Sequence, residues 1–272
     1  MFDTKLRAAF TLRRNLFGTA PPNLLNKDTL SGDFFISHDP ALTGREYRGL
    51  DQSFLDRQWE VGVTRDTRNN ENITLAGSWL DATLRYHDAE LNHSFYEWTS
   101  QYTTYFKLGR ERYEITADEE RRNGKLSVQK ILKQLDYEKI RREIFSRKVL
   151  VLHFYAAQSY DIAGNSMPVY GLQTLGNDTP LRGYAGSRFR DYTVVAMSTE
   201  YRFPIIRLMD GTLFDEYGAS DRSWNTLFDQ GVRNTWGFGI RVRRPDIFLF
   251  RAELGFHGLS GAVFNLSVDA PF

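Results

Sequence analysis

Cysteine is missing from the 272 residues of this chain, so neither a disulfide framework nor a thiolate metal site is available to it. An excess of charge is missing too. The 35 Lys and Arg residues face 34 Asp and Glu residues, which argues against a dedicated nucleic-acid binder. No window approaches about 18 consecutive apolar residues, which excludes an ordinary transmembrane helix. Chemistry-bearing motifs are equally scarce. His38, His87, His93, His153 and His257 lack metal-ligand spacing, no Gly-x-Ser-x-Gly elbow or phosphate loop occurs, and Gly237-Phe238-Gly239 lacks the third glycine of a dinucleotide fingerprint. No catalytic residue, metal or cofactor is therefore expected, and the chain reads as a non-enzyme.

Aromatic residues are abundant, with 20 Phe, 14 Tyr and 5 Trp, while the mean hydropathy is only −0.47. A barrel that spans a membrane needs only every second residue to be apolar, so this pairing of values suits one. Period-two alternation is clearest near the C-terminus. In 234–244, Trp236, Phe238, Ile240 and Val242 alternate with Gly237, Gly239, Arg241 and Arg243. In 247–257, Phe248, Phe250, Ala252, Leu254 and Phe256 alternate with Leu249, Arg251, Glu253 and Gly255. After the link 257–260, Phe264, Leu266, Val268, Ala270 and Phe272 alternate with Asn265, Ser267, Asp269 and Pro271. Charged residues in mid-strand on one face suit a hydrated lumen, whereas a soluble sandwich would show the same alternation against a second sheet.

Weaker alternation predicts strands at 57–66, 80–87, 94–108, 148–158, 190–203 and 211–220, and less clearly at 4–14 and 32–38. The expectation is an all-β, antiparallel transmembrane barrel of about eleven strands, within a range of roughly ten to twelve. One segment breaks the pattern. From Asp118 to Arg147 the chain is highly charged, and Val128, Ile131, Leu132 and Leu135 recur at helical spacing, which predicts an amphipathic helix within an insertion at 109–147.

Leu181-Arg182-Gly183-Tyr184, with Leu175-Gly176 before it and a strand after it, resembles the V/L-R-G-F/Y signature of the BamA/TamA-type outer-membrane assembly barrels. That superfamily, the bacterial surface antigen family, also includes relatives of the two-partner-secretion transporters. Thr64-Arg65-Asp66-Thr67-Arg68-Asn69 is similar to the D-T-R-D-N strand end and turn found earlier in such barrels, and the order of elements between the two motifs agrees. The resemblance is specific over 57–272 and faint over 1–56.

The resemblance implies a loop that folds back from the cell exterior into the lumen, where Arg182 pairs with acids on the inner wall. Glu200 matches the acidic position on the next strand. On the strand after that, Glu216 matches, and Asp215 serves with a one-residue shift. Phe264, Leu266, Val268 and Phe272 resemble the C-terminal outer-membrane targeting signal. Implied with these are residence in the bacterial outer membrane, contact with its lipid, client outer-membrane or secreted proteins, and periplasmic or lipoprotein accessory subunits. The implied work is assembly, insertion or translocation by templating client strands at a lateral seam. The alternatives are a pore or surface-antigen barrel without a client, and a membrane anchor for a secreted passenger domain.

Members of this superfamily usually have about sixteen strands and soluble periplasmic domains in front. The N-terminal MFDTKLRAAFTLRR has no clean signal-peptide pattern. The chain is thus expected to be one barrel domain over 1–272, incomplete at its N-terminus, with 57–66 as the family's eighth strand. The Arg182 loop and the link 257–260 are expected outside the cell. The turn 243–246, the insertion 109–147 and the C-terminus are expected in the periplasm.

Overall fold

The computed structural model describes residues 3–16, 53–70, 73–108, 147–162, 167–177, 179–206, 208–229, 231–243, 248–258 and 261–268. Within them lie twelve strands: β1 (Asp3–Leu16), β2 (Ser53–Asp66), β3 (Gly77–Ala89), β4 (Phe95–Lys107), β5 (Val149–Asp161), β6 (Gln173–Leu175), β7 (Phe189–Asp191), β8 (Thr193–Ile206), β9 (Met209–Asp221), β10 (Arg233–Arg243), β11 (Phe248–His257) and β12 (Gly261–Ser267). Ten of them form one sheet in the order β1-β2-β3-β4-β5-β8-β9-β10-β11-β12, and every pairing is antiparallel. No pairing joins β1 to β12 among the described residues.

The expectation of about eleven strands becomes ten in the main sheet, because the expected strand at 32–38 lies outside the described residues. An even count places the start of β1 and the end of β12 at the same end of the sheet, where an odd count would separate them. The remaining two strands form a separate hairpin, β6 with β7, inside the connection between β5 and β8. The expected helix of the 109–147 insertion, the turn 244–246 and Phe272 also lie outside the described residues.

The faces of the sheet are inverted relative to a soluble protein. Leu6, Phe10, Val61, Leu84, Tyr102, Phe154, Met197, Leu213, Phe238, Phe250, Phe264 and Leu266 are all exposed, and together they come from each of the ten strands. The other face buries Asp56, Gln58, Thr83, His87, Thr103, His153, Ser198, Glu200, Arg202, Asp210, Glu216, Arg241, Glu253 and Asn265. Water would penalise so continuous an apolar belt, whereas the hydrocarbon core of a bilayer stabilises it.

Register sharpens the point. Phe10, Trp59, Tyr86, Tyr96 and Tyr160 are successive cross-strand partners from β1 to β5, one aromatic row running around the outside. Neighbouring rings in it lie 5.3, 5.6 and 4.8 Å apart across the first four strands. Such rows are the girdles that barrels place at membrane interfaces.

Antiparallel order sorts the connections. Those of β3–β4, β5–β8, β9–β10 and β11–β12 leave from one end of the sheet. Those of β2–β3, β4–β5, β8–β9 and β10–β11 leave from the other. The Arg182 loop and the 257–260 link thus share an end, opposite the connections that contain 109–147 and 243–246. The Asp66–Gly77 turn at the second end is tightly built. Arg68 binds the Asp66 carboxylate through its backbone N–H, Nε and Nη2, while the Asn69 carboxamide oxygen accepts from the backbone of Leu75 and Ala76.

Candidate functional site, a loop arginine on the inner wall

The connection between β5 and β8 does not stay at the rim. Its small hairpin anchors it, since Leu175 and Phe189 bury against Ala157, Val194 and Ala196 on the inner faces of β5 and β8, with Leu181 in the same cluster. Beyond the hairpin the backbone turns sharply at Leu181, which has φ of +96° although it is fully buried and carries a branched side chain. That conformation costs free energy for any residue but glycine, so the surroundings must hold it.

Glu216 of β9 supplies much of that hold. Its Oε2 accepts from the backbone N–H of Leu181 at 2.9 Å, from that of Arg182 at 2.6 Å and from the Thr235 hydroxyl at 3.1 Å. Its Oε1 accepts from Arg182 Nε at 2.8 Å and from the Ser198 hydroxyl at 3.1 Å. One carboxylate thus fixes the loop backbone and orients the guanidinium. Arg182 Nη1 donates to Glu200 on β8 and to Glu253 on β11, both at 2.8 Å. The guanidinium carbon lies 3.8 Å from the centroid of the Phe214 ring. Asn265 on β12 donates its side-chain N–H to the Arg182 carbonyl at 2.9 Å.

Arg182 is 3 % exposed, and the three glutamates are 1 % exposed or less. Burial opposes the charge on Arg182, but the fields of Glu216, Glu200 and Glu253 outweigh burial and raise its pKa further. A planar guanidinium with donors directed three ways suits this triangle of acids, and a lysine ammonium would not reproduce it.

Two glycines permit the close approach. A Cβ on Gly183 would lie 2.7 Å from the carbonyl carbon and oxygen of Phe256, and one on Gly255 would lie 2.7 Å from the Arg182 carbonyl oxygen. The loop backbone therefore rests directly on the β11 backbone. Tyr184 then stacks on His257 at 4.5 Å and meets Phe189 edge-on at 4.8 Å, while the His257 ring N–H donates to the Gly183 carbonyl at 2.6 Å.

All four residues 181–184 are thus brought onto the inner wall, with Glu200 and Glu216. Asp215 is the correction. Neighbouring residues of a strand point to opposite faces, and Asp215 lies on the outer one, where its carboxylate accepts from Asn234 at 2.6 Å. The alternation of Phe214 and Glu216 with Leu213 and Tyr217 is what assigns the inward acid to Glu216. Glu253 was missing from the expected set, although it shared a face with Arg251 in the alternating pattern of its strand. Phe264, Leu266 and Val268 lie exposed on the outer face.

The sequence model of the Omp85 superfamily domain matches residues 6–262, so the kinship extends well into the N-terminal region where the motifs were faint. Among curated proteins none matches the chain. Among solved structures, BamA from Haemophilus ducreyi lacking POTRA domains 1-3 superposes with a TM-score of 0.52 at 15 % identity, covering 79 % of this chain and 41 % of that one. CdiB from Acinetobacter baumannii gives 0.46 at 12 % identity, covering 80 % of this chain and 34 % of that one. The chain therefore spans less than half the length of either. Sequence model, antiparallel sheet and the BamA superposition agree on the fold class, a β-barrel of the outer-membrane type.

Proposed function

Because the chain belongs to the Omp85 superfamily, we propose that it is part of an outer-membrane barrel that inserts or translocates other proteins, pairing client strands at a lateral seam edged by β12. The observation that carries this reading is the Arg182 cluster. Through it one loop residue is bonded to β8, β9, β11 and β12, the four strands leading to that edge apart from β10. A free strand edge presents unpaired N–H and C=O groups, and an incoming strand reads their register only if the edge itself holds still. The cluster keeps it still. The work is backbone pairing, with no catalytic step.

The apolar outer belt supports a lipid setting, and the superfamily supports the bacterial outer membrane as the place. In this reading the end carrying the Arg182 loop faces outward, and the end carrying the β4–β5 connection faces the periplasm, where accessory subunits would dock. The targeting role of Phe264, Leu266, Val268 and Phe272 belongs to the same proposal.

These 272 residues hold no cysteine, so an introduced thiol is the only one in this part of the protein. Leu266→Cys in β12 and Tyr102→Cys in β4 are placed separately in the full-length protein, and disulfide adducts with single-cysteine client barrels are trapped in cells. Client adducts at position 266 and none at 102 are expected. Equal yields at the two positions would rule out a β12 seam. A simple pore is the second reading, favoured by the partly exposed charges on the inner face of β1–β4. It predicts ion conductance indifferent to Arg182 and no adducts at either position.

A further inference from the structure

Three cross-strand rows run side by side over the outer faces of β4, β5, β8 and β9. Nearest the end that bears the Arg182 loop, Trp98, Gln158, Thr193 and Asp221 are successive register partners. Next come Ser100, Ala156, Val195 and Ala219, and after them Tyr102, Phe154, Met197 and Tyr217. The middle row is built of small side chains and the last of large ones.

The first row is covered from outside. Gln158 and Asp221 take outward positions on their strands, yet both are buried, because the β9–β10 connection leans over them. Its Trp224 stacks on Trp98 with ring centroids 6.0 Å apart and donates its indole N–H to the Gln158 carboxamide oxygen. The Thr226 hydroxyl donates to the Asp221 carboxylate at 2.9 Å. Phe228 and Val232 of the same connection stay exposed and overhang the middle row.

The result is a furrow of about 400 Å³, within the range of about 300–1,000 Å³ typical of ligand sites. The small row is its floor, the row of Tyr102 is one bank, and the overhang is the other. Among the described residues no charged side chain lines it. Alternate residues of a strand are about 6.7 Å apart, so the two flanking rows are separated by about 13 Å and an extended chain fits lengthwise between them.

We propose that this furrow holds one acyl chain of a lipid from the outward-facing leaflet, lying across β4, β5, β8 and β9 beneath the overhang. Continuity argues for this occupant, since Tyr102, Phe154 and Met197 of the lower bank belong to the apolar belt itself. Within a bilayer, exclusion of water does not favour one apolar surface over another, so selection comes from packing. An unfilled furrow forfeits dispersion contacts along its floor, and a hydrocarbon chain is thin enough to recover them. The overhang touches that chain on a second side, which the open belt cannot do. The inference rests on the membrane setting proposed above.

The test begins with the full-length protein in vesicles of palmitoyloleoylphosphatidylglycerol. It is extracted into a short-chain detergent and weighed by native mass spectrometry. The wild type is expected to keep one phospholipid per molecule. Ala156→Phe fills the floor and should cut the retained fraction roughly fivefold or more. Leu213→Phe adds an aromatic ring to the same face outside the furrow and should retain lipid as the wild type does. If Ala156→Phe does not fold, Ser100→Phe gives the same comparison.

Equal retention by wild type and Ala156→Phe, or none by the wild type, would overturn the proposal. So would a dimer mass that Ala156→Phe converts to monomer, which assigns the furrow to a second copy of the chain. The membrane setting is checked separately, by a fluorophore on Val61→Cys and chain-brominated phosphatidylglycerol in the vesicles. Quenching at position 61 without a retained lipid sinks the furrow alone. No quenching sinks the membrane setting as well.

Discussion

The two walls of the sheet use the same side chains to different ends. On β1–β4, Arg7 and Arg85 alternate with Asp81, Glu60 and Glu97 in a zipper of ion pairs at 3.2, 2.8, 2.6 and 2.6 Å. On β8–β12 the arginine comes from a loop and the acids come from three strands. Arg7 is 41 % exposed and Arg182 is 3 % exposed. Exposed pairs are screened by water and contribute little, while removing one partner from a buried group strands the others without compensation. The lesson is that a charge ladder between adjacent strands adds little to what the backbone register already fixes. A charge inserted from a loop ties the β8–β9 pair to the β11–β12 pair across β10, which separates them.

The largest expected effect follows from Arg182→Ala, which leaves three buried carboxylates without their common partner. A loss of about 3–5 kcal/mol is expected, read as a lower urea midpoint and a weakened heat-modifiable band on a gel. Arg182→Lys should recover only part of it, because an ammonium cannot bond Glu200, Glu216 and Glu253 in the same geometry.

Next come substitutions on the outer faces, where the two walls should behave alike. Val61→Arg on β2 and Leu213→Arg on β9 should each cost about 2–4 kcal/mol in lipid bilayers. A large difference between them would show that the walls differ outside as well as inside. Gly183→Ala should cost about 1–3 kcal/mol, because a Cβ there forces the loop off the Phe256 backbone and takes Arg182 with it. The smallest effect belongs to Arg7→Ala, expected below about 1 kcal/mol in the same urea assay. A value matching that of Arg182→Ala would erase the distinction between the walls.

Alternation makes the main sheet legible in the sequence. Segments 234–244, 247–257 and 211–220 sit on β10, β11 and β9 because each strand has one wet and one greasy face, the strongest signal that period two can give. The hairpin of β6 and β7 was not legible, since three residues per strand carry no period and its stability comes from Leu175 and Phe189 packing on β5 and β8. Arg182 and Glu200 were found through a resemblance to motifs.

The choice between Asp215 and Glu216 needed the strand's phase, which Phe214 and Tyr217 supply only once their faces are known. Glu253 was visible as a mid-strand charge but not as a partner of Arg182, because 71 residues separate them and only the fold brings them together. The positive φ of Leu181 had no sequence signal at all, since a leucine is the wrong residue to announce it.

The central claim is that Arg182 joins β8–β12 into one unit while β1–β4 stand apart from it. Amide hydrogen exchange, resolved by peptide and compared between wild type and Arg182→Ala in the same bilayer or detergent, tests it directly. The account predicts that the variant loses protection across β8, β9, β11 and β12 and keeps it in β1–β4. Uniform loss over all ten strands, or unchanged protection in β8–β12, would contradict it.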